Sequence, residues 1–172
     1  MRTVLVTGAI GSGKSEVCRY LSSKGYPVYD SDSRTKALYA SVPGLKCRIE
    51  EALGVPFSEI SIIFRDDSKR EALESIVYPL VIEDFKTWRD AQDSEIVFFE
   101  SALALDKPIF DGLYDEVLLV KADLEKRKDR NPKVAERDSL QKFDTEKADY
   151  VLENNSTLVG LHRKINVYLK SK

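Results

Sequence analysis

The stretch VTGAIGSGKSEV, residues 6–17, directly follows the apolar run Thr3–Leu5 and determines how the rest of the chain is interpreted. Residues 8–15 fit the pattern G-x-x-x-x-G-K-[ST], and a helical pattern from Glu16 to Lys24 follows, closed by Gly25. A glycine-rich turn is the alternative interpretation of these residues. The order of strand, glycine loop and helix favours a phosphate-binding loop, and therefore a nucleotide site.

Each residue type in this loop has a physical task in binding phosphate. Glycines let backbone N–H groups turn inward around an anion, and the helix N-terminus adds partial positive charge. Lys14 is expected to reach the β- and γ-phosphates, and the Ser15 hydroxyl to hold Mg²⁺. We therefore predict that ATP contacts Gly8, Ala9, Ile10, Gly11, Ser12, Gly13, Lys14, Ser15 and Glu16.

The composition is that of a globular protein without a bias toward polyanionic partners. The 172 residues correspond to about one domain, and 27 basic side chains nearly balance 29 acidic ones. Two cysteines without a C-x-x-C spacing and a single histidine, His162, argue against disulfides and structural zinc. No secretory signal and no apolar run of membrane-spanning length is present. We expect a cytoplasmic monomer that binds neither nucleic acid nor a membrane.

Short β-rich runs alternate with longer helical patterns along the chain, which is typical of an α/β layered fold. Four of the five strand candidates are nearly continuous apolar runs, as in strands buried on both faces of a parallel sheet. The candidates are Thr3–Val6, Tyr26–Tyr29, Glu95–Phe99, Glu116–Val120 and Tyr150–Leu152. The long segment between the second and third has helical patterning, as in Lys69–Val77 and Pro79–Trp88, and is interpreted as a substrate-binding insertion.

The phosphate loop alone does not distinguish a kinase from a GTPase or a motor protein. The chain has no N-K-x-D motif for guanine recognition and is short for a motor ATPase. A small-molecule kinase, in which a second substrate binds beside the γ-phosphate, remains the preferred class.

Acidic residues follow two of the predicted strands. Asp30 and Asp32 end the second strand, where a carboxylate can accept the proton of an attacking hydroxyl or hold Mg²⁺. The alternative is that Asp30 or Ser31 caps a helix beginning near Arg34. Glu100 follows the strand Ile96–Phe99. It either faces a metal-bound water or simply marks the end of the strand and faces solvent.

Read in order, these and later segments resemble the dephospho-coenzyme A kinase family. TGAIGSGKS is similar to the family's phosphate loop, and GYPVYDSDSRTKAL to its D-x-D segment. LESIVYPLVIEDFKTW resembles its helix around H-P-x-V, VFFESALAL its third strand, and ADYVLENN its final strand and Asn. The resemblance implies an α/β, P-loop kinase-like three-layer fold with a five-stranded parallel sheet.

The resemblance also implies a single kinase domain over residues 1–172. Its core would comprise residues 1–37, 94–120 and 148–172, with a helical substrate-binding insertion over about 38–93 and a short lid over about 121–147.

The implied reaction is ATP-dependent phosphorylation of the ribose 3′-hydroxyl of dephospho-coenzyme A. Asp32 would be the general base, Lys14 would stabilise the transferring phosphoryl group, and Ser15 and Asp32 would hold Mg²⁺. Substrate contacts would come from Asp30, Tyr78 and Glu100. Arg127 and Arg137 would act in catalysis, and Arg130 and Asn154 would contact ATP; Gln141 accompanies Arg137 in the lid.

The chain departs from the family pattern at several positions. Ala9 and Glu16 replace a Gly and a Thr or Ser without removing any group that cradles phosphate. Tyr78 stands where the family has His before Pro79. The insertion lacks the usual L-x-R motif, for which Arg65 or Arg70 are the candidate replacements, and the lid is contracted around Asn131–Val134.

Two alternatives therefore stand beside the leading interpretation. One is a kinase of the same fold for another small acceptor, such as a nucleoside monophosphate. The other is a catalytically weak ATP-binding protein, which the missing arginines of the insertion and lid leave open. The lid segment itself is also compatible with a solvated pair of helices.

Overall fold

The computed structural model describes residues 1–134 and 145–172, except for the side chains of residues 62–65. The described chain forms two compact units. One unit comprises Met1–Asp30 with Gln92–Lys172, and the other comprises Ser31–Ala91. The first contains the sheet and the phosphate loop, and the second is helical.

The sheet of the first unit has five parallel strands, which confirms the predicted fold class. The spatial order is β2-β3-β1-β4-β5, so β1 lies at the centre and the phosphate loop follows the central strand. The strands are β1 Arg2–Thr7, β2 Val28–Asp30, β3 Ile96–Glu100, β4 Glu116–Lys121 and β5 Tyr150–Glu153.

Both faces of this sheet are buried, as the continuous apolar runs predict. Val4 and Val6 face a core that includes buried side chains of two helices, α1 Lys14–Ser23 and α6 Leu158–Lys170. Leu5, which alternates with them, is also fully buried. On the β2–β3 side, Phe99 packs against Tyr29 and Phe110, with ring centroids 5.7 and 6.1 Å apart. Among the residues that the structure describes, this unit has one further α-helix, α5, Leu124–Arg130.

The second unit is built from three α-helices and a 3₁₀ segment, Phe57–Arg65. Its helices are α2 Ser31–Ser41, α3 Leu45–Leu53 and α4 Asp67–Asp90. The apolar side chains of α3 and α4 recur every four residues, which aligns them on one side of each helix. The buried ones are Leu45, Ile49 and Leu53 in α3 and Val77, Val81 and Phe85 in α4.

Several boundaries differ from those expected from the sequence. β2 begins at Val28 and not at Tyr26; the Pro27 carbonyl accepts a bond from the Phe98 N–H, but proline itself has no N–H to donate. α2 begins at Ser31, directly after β2, and not near Arg34, so Asp32 lies within the first helical turn. Lys121, expected in the lid, is the last residue of β4. None of the helices that the structure describes is long and apolar enough to span a membrane.

The helical segments expected on either side of Tyr78 are one continuous helix. α4 runs for 24 residues with Pro79 in its interior. Proline cannot donate to the Ser75 carbonyl, and its ring crowds that carbonyl. Buried Val77 and Val81, on either side of Pro79, keep both halves packed in the unit. Packing therefore overrides the helix-breaking signal of the sequence.

Pro79→Ala restores the missing helical hydrogen bond and should raise the free energy of unfolding by about 1–3 kcal/mol. Chemical denaturation of the two proteins measures this change. Pro108→Ala is the matched control, because Pro108 occupies the first position of a short 3₁₀ helix, where no N–H is needed. A less stable Pro79→Ala variant would show that this proline is favourable where it stands.

Candidate active site

The phosphate loop contains backbone conformations that only glycine adopts without strain. Gly11 and Gly13 have φ angles of 76° and 101°. A Cβ on Gly8 would collide with the Val120 carbonyl oxygen, and one on Gly13 with the Asn154 side-chain amide. Neighbouring elements thus lie directly against the outside of the loop, and its inner surface is formed by backbone.

Three side chains hold the outward-facing carbonyl oxygens of the loop; we call Arg127, Arg130 and Asn154 the carbonyl brace. The Arg127 Nε donates to the Ile10 oxygen at 2.9 Å. The Asn154 Nδ2 donates to the Ser12 oxygen at 2.8 Å. Arg130 reaches the Gly11 and Ser12 oxygens, each at 3.4 Å, and donates to the Asn154 carbonyl at 2.9 Å. Because these bonds engage the oxygens of Ile10, Gly11 and Ser12, they hold the loop backbone in one conformation.

The brace includes three residues for which the sequence predicted roles in catalysis or nucleotide binding. Arg127 is buried at the loop and Arg130 lies one turn further along α5, so both belong to the base of the expected lid. The sequence did not predict that these arginines contact loop carbonyls. A charged helix gives no indication of which distant residues its arginines contact, and here the partners lie more than 100 residues away. Arg137 and Gln141 lie outside the described residues.

Lys14 is folded back over the loop. Its Nζ donates to the Gly8 oxygen at 2.7 Å and to the Ala9 oxygen at 3.4 Å. Lys14 is the first residue of α1, so its ammonium adds to the positive end of that helix. The positive charge predicted for the phosphate site is therefore present at the loop.

Ser15 and Glu100 meet at the carboxyl ends of the strands. The Ser15 hydroxyl donates to Glu100 Oε1 at 3.1 Å. Glu100 pairs in register with Asp30 on the neighbouring strand, which brings two acidic residues side by side. Burial raises the pKa of Glu100, and the Asp30 charge adds to this, whereas bonds from Cys18 and Ser15 oppose it.

Cys18 is a residue of this cluster that the sequence did not predict. It lies three positions after Ser15 on α1, is 4% exposed, and its thiol hydrogen-bonds to Glu100. Burial, together with the nearby Glu100 charge, raises the pKa of the Cys18 thiol, so it remains protonated and donates to the carboxylate. The i to i+3 spacing from Ser15 was the available signal, because such residues share a helix face.

The donor atoms at this cluster suit Mg²⁺. Ser15 and Glu100 offer hard oxygen ligands, which Mg²⁺ prefers. Within the described ranges, no group of three or more His, Cys, Asp or Glu side chains is poised to hold a metal ion. Mg²⁺ commonly takes only one or two protein ligands and completes its shell with water and phosphate oxygens. The cluster therefore fits a cation that arrives with a nucleotide.

The remaining predicted residues belong to the helical unit. Asp32 is exposed in the first turn of α2. Tyr78 is half-buried in α4, and burial followed by the Glu74 charge raises its pKa, so its hydroxyl keeps its proton. Arg70, a candidate for the missing phosphate contact, forms ion pairs within α4 to Asp67 at 2.7 Å and Glu74 at 4.0 Å. The Arg65 side chain lies outside the described residues.

Comparison with known proteins identifies the family. A family model described as dephospho-CoA kinase matches residues 60–159. A dephospho-CoA kinase of Fusobacterium nucleatum is 30% identical over 96% of this chain and 96% of its own length. The chain belongs to the dephospho-CoA kinase family. The predicted resemblance is thus confirmed, and the chain is an ATP-dependent kinase by family.

Solved structures share the fold of this chain. The crystal structure of TT1252 from Thermus thermophilus has a TM-score of 0.80 and 32% identity, covering 99% of this chain and 97% of that one. A dephospho-CoA kinase from Campylobacter jejuni shares the fold, with a TM-score of 0.69 at 17% identity, covering 99% of this chain and 96% of that chain. The family model covers residues 60–159 and so does not include the phosphate loop, whereas the Fusobacterium nucleatum relative covers 96% of this chain.

Asn154→Asp should weaken ATP binding about tenfold or more, because a carboxylate would then face the Ser12 carbonyl oxygen and the donor would be lost. Isothermal titration calorimetry with ATP measures the effect. Asn166→Asp is the matched control, since the Asn166 Oδ1 accepts a bond from Tyr20 and a carboxylate can do the same. Unchanged ATP affinity in Asn154→Asp would contradict the role of the brace.

Glu100→Gln should stabilise the nucleotide-free protein at pH 7 to 8 while reducing kinase turnover about tenfold or more. A carboxyl whose pKa is raised on folding lowers the stability of the folded protein as pH rises toward and above its folded-state pKa. Glutamine does not ionise, so the variant avoids this loss of stability. Thermal unfolding across pH should show the gain growing as pH rises from about 4. Glu95→Gln, at an exposed position just before β3, is the control and should leave both quantities unchanged. A gain independent of pH would argue against an unfavourable buried charge at Glu100.

Proposed function

We propose that this protein transfers the γ-phosphoryl group of ATP to the ribose 3′-hydroxyl of dephospho-coenzyme A, giving coenzyme A and ADP. The observation that carries the proposal is the braced phosphate loop with Ser15 and Glu100 at its mouth, in a chain related over its full length to a dephospho-CoA kinase. Phosphoryl transfer depends mainly on positioning and charge stabilisation, which such a loop supplies.

Asp32 acts as the general base in this proposal. Its carboxylate accepts the 3′-hydroxyl proton as the O3′–Pγ bond forms and the bond from Pγ to the bridging oxygen of ADP breaks. Its exposure in the first turn of α2 is compatible with access to an acceptor. Asp30 and Tyr78 contribute contacts to the acceptor.

Positive charge from the loop and lid stabilises the phosphates. Lys14 moves from the Gly8 and Ala9 carbonyls to the β- and γ-phosphates, and inward-directed N–H groups bind the same oxygens. Arg127 and Arg130 keep the loop in the binding shape, and Arg137 of the lid adds a charge at the transferring group. Bound Mg²⁺ would neutralise phosphate charge, held by Ser15 and Glu100 and, on the acceptor side, Asp32.

A cytoplasmic monomer without nucleic-acid or membrane partners is part of the same proposal. Nearly balanced charge supports it, because neither an extended basic surface nor an extended acidic one follows from the composition.

Two departures from the family pattern support a second candidate, a weak ATP-binding protein or a kinase for another acceptor. Tyr78 replaces a histidine, and Arg70 is engaged in ion pairs within its own helix. Incubation with Mg²⁺-ATP and dephospho-coenzyme A, and in parallel with nucleoside monophosphates, followed by mass spectrometry, decides between the candidates. ATP binding without any acceptor-dependent ADP release would favour the weak binder.

Asp32→Asn should reduce acceptor-dependent turnover about 10²-fold or more with nearly unchanged ATP affinity, because the proton acceptor is lost while the phosphate loop remains. Steady-state kinetics with ATP binding by calorimetry measures both quantities. Asp93→Asn, at an exposed position before β3, is the control with the same charge change. Full turnover in Asp32→Asn would overturn the assignment of the base.

A further inference from the structure

Helix α2, which carries the proposed base, buries little apolar surface. Of its 11 residues, all of which the structure describes, only Ser31 is buried. By contrast, α3 and α4 each bury three apolar side chains. Buried apolar area is what normally fixes the orientation of a helix in a domain. A polar contact must therefore contribute to the orientation of α2.

The contact is a two-pronged ion pair between α2 and α4. Arg34 Nε donates to Asp84 Oδ2 at 2.8 Å, and Arg34 Nη2 donates to Asp84 Oδ1 at 2.6 Å. Two parallel bonds from a planar guanidinium fix direction as well as distance, which a single contact does not. Asp84 precedes the fully buried Phe85, so its backbone belongs to a firmly packed turn of α4. The pair thus attaches α2 to a well-fixed position.

The second attachment of α2 lies two turns away from Asp32. Tyr39 packs edge-on against Phe57, with ring centroids 5.0 Å apart. An aromatic contact at that end fixes the far part of the helix. The Arg34–Asp84 pair acts at the other end, next to the first turn that carries Asp32. Asp32 and Arg34 lie about 200° apart around the helix axis, so the pair holds the side away from the base.

We propose that the Arg34–Asp84 pair positions Asp32 for proton transfer, as a positioning pair that leaves nucleotide binding and overall stability largely untouched. The proposal rests on the function proposed above, in which Asp32 is the base. Arg34 has a 43% exposed side chain, and pairs this exposed contribute little to global stability. A misplacement of a reacting group by about 1 Å can reduce turnover by up to 10²-fold.

The test compares Arg34→Met, Asp84→Asn and the double variant with the unmodified chain. Each single change should lower kcat about tenfold while leaving the KM for ATP, the calorimetric ATP affinity and the melting temperature nearly unchanged. The double variant should be no worse than either single variant, because both remove the same contact. Arg34→Lys keeps the charge but loses the fork, and should recover only part of kcat.

Arg89→Met is the matched control for an arginine lost from an ion pair in the same unit. Arg89 pairs with its chain neighbour Asp90 at 3.2 Å, a contact within the end of α4. Its removal should leave kcat unchanged. Equal loss of kcat in this control, or additive losses in the double variant, would overturn the positioning role.

The two proposals fail in different ways. Full turnover in Asp32→Asn would show that Asp32 is not the base, and would therefore overturn both proposals. A large loss in Asp32→Asn beside normal kcat in Arg34→Met and Asp84→Asn would overturn the positioning pair alone. A parallel fall in melting temperature and ATP affinity would show that the pair is structural, which also overturns it.

Discussion

The phosphate site depends on holding the loop carbonyls outward. Backbone N–H groups between Gly8 and Ser15 face an anion only while the intervening carbonyl oxygens face the other way. Ile10, Gly11 and Ser12 have their oxygens held by Arg127, Arg130 and Asn154. These residues come from α5 and from the position directly after β5, far along the chain. The site that begins at residue 8 is therefore complete only when the last strand and α5 have folded onto it.

The acidic side of the site is arranged at a cost to stability. Asp30 and Glu100 end adjacent strands in register, and burial raises the pKa of Glu100. Hydrogen bonds from Ser15 and Cys18 offset part of this cost by favouring the ionised carboxylate. A cation would complete the compensation, since two acidic groups and a hydroxyl at the strand ends suit hard metal ions. The raised pKa of Glu100 thus lies where the proposed phosphate-bound cation would be held.

Local signals in the sequence were sufficient for the strands, the phosphate loop and the family. They were insufficient wherever the structure depends on distant partners. Arg127 and Arg130 were interpreted as lid residues because an arginine in a charged helix gives no indication that it contacts a carbonyl near residue 10. The continuity of α4 through Pro79 and the start of α2 at Ser31 were missed for a related reason. In α4, the packing of buried Val77 and Val81 outweighs the tendency of Pro79 to break the helix.

The phosphate loop and the proposed base, Asp32, are held in place by different kinds of interaction. The loop that would hold phosphate is fixed by hydrogen bonds from Arg127, Arg130 and Asn154, and α1, which follows it, contributes three buried side chains. The proposed base lies on α2, whose described residues bury one small polar side chain and whose Arg34 forms two hydrogen bonds with Asp84. Apolar packing resists displacement over its whole area, whereas a partly exposed fork can break and re-form without unfolding the helix. In the proposed reaction, the loop would therefore hold phosphate through many contacts, whereas the orientation of the base would depend on one ion pair that a single substitution removes.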